Sequence, residues 1–173
     1  PLYSSAASDV YKRQGLQGVY FINFNTGSFS LNATDEVTAF PSGSTAYFYQ
    51  LKGVNSYTET VNSSRDNGTT FFNQELSLQL KKLSAEQTKE FKLLAYGRPK
   101  IVAWTRNGEA LLIGRLEGAD MTGGTTQTGQ AYGDLFGYTA VFTGQEPLPA
   151  NFLSGSTAEN AFAGVSNKPT IVY

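Results

Sequence analysis

Carboxylates, lysines and tyrosines have to carry any chemistry in this chain, because its 173 residues contain no Cys and no His. That composition removes disulfides, thiolate nucleophiles, Cys-based zinc sites and every Ser-His-Asp arrangement. Two acids facing each other across a cleft could still cleave a glycosidic bond. The candidates are Asp35-Glu36 in a polar stretch, Glu117 and Asp120 around a Gly-rich loop, and Asp134 between Gly133 and Leu135. Spacing alone pairs none of them, and solvated loop or turn positions are the simpler reading of each. Gly123-Gly124 and Gly129 suggest a phosphate cradle, yet no Lys follows as a P-loop requires, and no helix opens there. The expectation is therefore a protein that is not an enzyme, with no catalytic residue, no metal ligand, no cofactor and no small-molecule substrate.

The elements that would position these groups read as mostly β. Leu16–Phe24 and Ser44–Leu51 are rich in aromatic and β-branched residues, as buried strands are. Tyr57–Val61 suggests a short third strand, and Asn62–Gly68 is a polar run of turn residues expected as an exposed, mobile hairpin tip. From Phe72 the chain alternates. Phe72, Gln74, Leu76, Leu78 and Leu80 point one way, and Asn73, Glu75, Ser77, Gln79 and Lys81 the other, which describes a long half-buried strand. One helix is expected over about 84–96. Ser84 and Gln87 form a capping box, Phe91, Leu94 and Ala95 with Thr88 supply an apolar stripe, and Gly97 closes it. Asn107-Gly108 between two apolar runs signals a hairpin. Trp104 beside it reads as core or cross-strand packing, with a sugar-stacking platform as the alternative. Residues 118–137 hold too many Gly and Thr for a regular element and read as a long flexible loop before a strand at Tyr138–Thr143. The predicted fold class is mainly β (α+β), an antiparallel β-sandwich or partial barrel with one packed helix.

Asp9-Val10-Tyr11-Lys12-Arg13-Gln14 back-translates into GAT GTG TAT AAG AGA CAG, so residues 1–14 resemble a translated sequencing adapter rather than a folding unit. Residues 15–153 are then expected as a single domain, and 154–173 as an irregular tail that adds a strand at Thr170–Tyr173. Without Asp9, Lys12 and Arg13 the chain carries 11 basic against 13 acidic residues and no basic block. Sequence-specific reading of nucleic acid usually needs a positive footprint, whereas a conduit for DNA benefits from a wall that does not grip phosphate. No apolar run reaches the roughly 20 residues that span a bilayer.

The order strand, long loop, long alternating strand, single capped helix, hairpin, Gly/Thr loop and strand resembles the tail-tube proteins of long-tailed bacteriophages. Leu83 to Phe152 is similar to virion structural proteins of Bacteroidetes-type phages and prophages. Leu93-Leu94-Ala95-Tyr96-Gly97, Met121-Thr122-Gly123-Gly124, Gly133-Asp134-Leu135, Gly137-Tyr138 and Phe142-Thr143-Gly144-Gln145-Glu146 carry the likeness. The resemblance implies a subunit of the virion tail, assembled in the bacterial cytoplasm, whose partner is itself. Sheets of several protomers, typically six, close into a ring, and rings stack into a tube through which DNA passes without being read. It also implies that Glu75, Ser77 and Gln79 face the lumen while Leu76, Leu78 and Leu80 pack beneath the helix. Ring-to-ring contact is then expected in Gly53–Phe71, through Tyr57, Arg65, Asp66 and Asn67, with the Gly118–Gly137 loop as the second candidate; an ordinary mobile hairpin is the alternative. A second function class stays open, a surface or secreted β-sandwich module that binds carbohydrate or protein through Tyr47, Tyr49, Tyr57, Trp104, Tyr132 and Tyr138.

Overall fold

Strand β1 (Leu16–Ile22) is buried at nearly every position, and that fact organises the molecule: a strand apolar on both sides must be covered on both sides. The computed structural model describes residues 15–24, 27–51, 53–81 and 85–173. The adapter-like segment, Ser84 of the capping box, and the side chains of Gln87, Phe91, Leu94 and Ala95 lie outside the described residues. After β1 come β2 (Ser30–Leu31), β3 (Val37–Ala39), β4 (Thr45–Gln50), β5 (Ser56–Ser64) and β6 (Thr69–Lys81). Helix α1 (Ala85–Tyr96) follows, then β7 (Lys100–Thr105), β8 (Ala110–Ile113), β9 (Asp120–Gln127), β10 (Gly137–Glu146), β11 (Asn151–Phe152) and β12 (Thr170–Val172). The chain is mainly β, as its sequence predicts.

Six strands form a central sheet in the order β11-β8-β7-β1-β4-β12, antiparallel except for β12 on β4. Four form a second sheet, β5-β6-β10-β9, all antiparallel, and β2-β3 is a small ribbon. None of these sheets closes into a barrel. Between the two large sheets, Val19, Phe21, Ile101, Ala103 and Ile113 meet Leu76, Leu78, Ala140 and Phe142. On the other face of the central sheet, Tyr20, Ile22, Val102 and Leu112 meet Val37, Phe40, Leu153, Phe162 and Val165. Each fully buried side chain of this kind is worth about 1.5–3 kcal/mol in apolar surface removed from water.

Several expectations change. Leu76 and Leu78 fill the space between the sheets, and Leu80 packs against the same cluster. The described side chains of the helix reach both large sheets, Glu90 the Tyr49 hydroxyl on β4 and Thr88 the Tyr138 hydroxyl on β10. Residues 120–127 are a strand rather than part of a loop. β9 pairs with β10 from Asp120 to Gln127 through a bulge at Val141/Phe142, and its threonines suit the extended backbone. The polar run at Asn62–Gly68 contributes only its last four residues to the turn, because Asn62, Ser63 and Ser64 pair with Phe71, Thr70 and Thr69. Segment 154–173 is irregular up to β12, yet it is built into the core through Ala161, Phe162 and Val165. The Asn107-Gly108 hairpin is present, but of the two residues only Gly108 has a positive φ, 97°. A Cβ there would sit 2.6 Å from the Ala158 nitrogen, so the turn needs Gly for space as well as for conformation.

Candidate functional site

The alternation of β6 produces one dry face and one open face. Gln74, Leu76 and Leu78 are buried, while Glu75 is exposed and Ser77 and Gln79 are half-buried. Register places Glu75 between Thr58 and Thr143, Ser77 between Ser56 and Val141, and Gln79 beside Thr139. Hydroxyls pair across this face, Thr122 with Thr143 at 3.1 Å and Thr125 with Thr139. Lys81 is the only Lys or Arg within the four strands, and it sits exposed at the end of β6. Glu75, Ser77 and Gln79 are thus brought together on a hydroxyl- and amide-rich surface with little charge. The sheet ends at β5 on one side and β9 on the other.

Arg65, Asp66 and Asn67 occupy the exposed turn between β5 and β6, where Gly68 takes a φ of 62°. Tyr57 does not join them. It lies near the start of β5, turned inward against the inter-sheet core, and donates to Glu59 at 3.0 Å. Burial and the neighbouring carboxylate push its hydroxyl well above the usual tyrosine range. Tyr57 therefore belongs with the packing, because odd-numbered β5 residues face the sandwich and the tip begins eight residues later.

The acids singled out by spacing are tied to loops. Asp35 has a φ of 59° in a turn held by Asn32, whose Oδ1 accepts from the Thr34 and Glu36 amides at 3.0 and 2.9 Å. With Glu36 and Arg115 it lines a small cleft of about 190 Å³. Asp120 pairs with Arg98 at 3.4 Å on an exposed rim. Asp134 accepts from the Ala131 and Gln130 amides at 2.9 Å each, which hold its carboxyl below the usual range. Sequence reading missed the buried acid. Glu146 is buried and accepts from the Glu117 amide at 2.9 Å and the Leu116 amide at 3.2 Å, and burial raises its pKa. Lys100 is buried too, its ammonium 4.8 Å from the Phe29 ring and 5.2 Å from Phe24; burial lowers its pKa. Among the described residues there is no group of three or more acids that could hold a metal ion.

The aromatic residues do not form one row. Trp104 packs near Tyr20 with a 6.3 Å ring separation, and its indole N–H donates to the Thr157 carbonyl at 2.9 Å, so packing accounts for it. Tyr138 is buried and Tyr132 stands exposed in the loop before β10. Tyr47 and Tyr49 do converge, in a cleft of about 410 Å³ under α1 that also takes Phe21, Phe24, Glu90 and Arg98. Alternation along β4 could have paired the two tyrosines; Phe24, Glu90 and Arg98 come from separate segments with no shared pattern. No family model matches this sequence, and no curated protein or solved structure matches it.

Proposed function

We propose that the chain is a structural subunit of a phage tail tube, which assembles with copies of itself into stacked rings that conduct DNA. One observation carries this reading: among the described residues the outer face of β5-β6-β10-β9 is polar and poor in positive charge, and the sheet stops at two strands of nine and eight residues. Strands of that length left at an edge expose rows of unpaired backbone groups and invite pairing. Joining β5 of one copy to β9 of the next satisfies both edges at once, and repetition by rotation closes a ring. The face carrying Glu75, Ser77 and Gln79 then lines the lumen. Hydroxyls and amides with two carboxylates, Glu75 and Asp120, do not grip phosphate, and Lys81 sits at the boundary of the wall. The likeness of Leu83 to Phe152 to phage virion proteins supports the same reading.

Negative-stain electron microscopy of the chain at high concentration, with sedimentation velocity, tests it. Rings with an open lumen, alone or stacked, are the expected outcome. Uniform monomers across the concentration range overturn the assembly and favour a β-sandwich binding module.

A further inference from the structure

The cleft between α1 and the central sheet has a composition that the tube reading does not use. Its floor is Phe21 with Tyr47 and Tyr49, two residues apart on β4 and so on one face of the strand. Phe24 forms part of the wall. Phe24 is 48% exposed, although the strand that precedes it is largely buried, and Tyr47 is 37% exposed. Phe21 meets the Tyr49 ring edge-on at 5.5 Å, which fixes that ring, and the Tyr49 hydroxyl donates to Glu90 and so orients its carboxylate. Arg98 is aligned by its Nε contact with Asp120, and the Asn23 carboxamide completes the polar rim.

We propose that this cleft is a binding site for a neutral saccharide of one or a few units. Its volume, about 410 Å³, falls among small-molecule sites, which run from about 300 to 1,000 Å³ and combine apolar walls with a few orienting polar groups. Charge decides the ligand class. A cation would meet Arg98 on the rim, and an anion would meet Glu90. A neutral molecule with hydroxyl groups avoids both conflicts. It donates to the Glu90 carboxylate, accepts from the Arg98 guanidinium and does either with Asn23. The C–H face of a sugar ring fits the aromatic surface that Tyr47 and Phe24 leave exposed, where the apolar contact gives affinity and the polar rim gives orientation.

The test is a glycan array probed with the full chain, followed by saturation-transfer NMR on a retained glycan. Retention of neutral glycans is expected, with saturation strongest on the ring C–H protons. Tyr47→Ala and Glu90→Gln each weaken binding at least tenfold, while Tyr132→Ala, in the loop before β10, leaves it unchanged. Thermal melting checks that each variant is folded, and Phe24→Ala replaces any that is not. A chain that retains no glycan, retains only charged glycans, or binds equally well after both cleft substitutions overturns the proposal. The site does not depend on assembly: tubes without glycan binding sink this inference alone, and glycan-binding monomers sink only the tube.

Discussion

Glu146 is a buried acid whose environment opposes its ordinary behaviour. It is 3% exposed, and its carboxylate accepts the amides of Leu116 and Glu117 at the turn after β8. Burial raises its pKa and Glu117 raises it further, while those two amide bonds and Arg115 pull it down. Burial wins. Lys100, buried in the same region, feels the Glu146 charge but is itself held low by burial. The folded state therefore keeps the Glu146 proton more tightly than the unfolded chain does. Its stabilising contribution is complete below the ordinary glutamate value of 4.5 and is lost as pH rises through the raised folded value. Glu146→Gln keeps an oxygen to accept from both amides and removes the titration. Melting temperature against pH should fall across that window in the parent and flatten in the variant; identical slopes would show that Glu146 is not the group responsible.

At the scale of elements, the C-terminal segment does more than its sequence suggests. Phe162 is 1% exposed and meets Tyr20 at 4.8 Å and Phe40 at 5.5 Å, both edge-on, on the face of the central sheet away from β6. Phe162→Ala should cost about 3–5 kcal/mol, the range for emptying an aromatic-sized site, as a lower midpoint in urea with little change in slope. A loss below about 1 kcal/mol would mean that the segment is not a fixed layer. Its sequence hides this role because Ala161, Phe162 and Val165 follow no strand or helix period, and nothing local says which face they cover. β1 and β6 were legible for the opposite reason: one is apolar throughout and the other alternates over its whole length. β9 escaped because Gly123 and Gly124 read as loop, whereas the threonines around them pair with β10 only after distant strands come together. The cleft was half legible, since Tyr47 and Tyr49 share a strand face but Phe24 and Glu90 meet through tertiary packing.

At the scale of the whole molecule, the β5-β6 hairpin outruns the body it belongs to. β10 pairs with β6 only from Phe72 onward, so Asn62–Ser64 and Thr69–Phe71 form a two-stranded arm with no third strand beside it among the described residues. At its base Val61 is 58% exposed, and along it Phe71 is 36% exposed. A two-stranded ribbon is marginal in water, and apolar surface on it adds nothing to the stability of an isolated subunit. Val61 and Phe71 project from opposite faces of this ribbon, so in stacked rings the arm can lay Phe71 on the neighbouring ring, with Arg65, Asp66 and Asn67 as a polar margin. Val61 and Phe72 are register partners, so residues 62–71 can be replaced by Asn-Gly, a two-residue turn suited to a hairpin. The shortened chain should fold with a melting temperature close to that of the parent, because the arm buries little. It should still form rings, since the β5 and β9 edges are intact along most of their length, but electron microscopy should find those rings single rather than stacked. Tubes of normal length from the shortened chain would remove the arm from the contact and leave the edge pairing as the part of the assembly still to be defended.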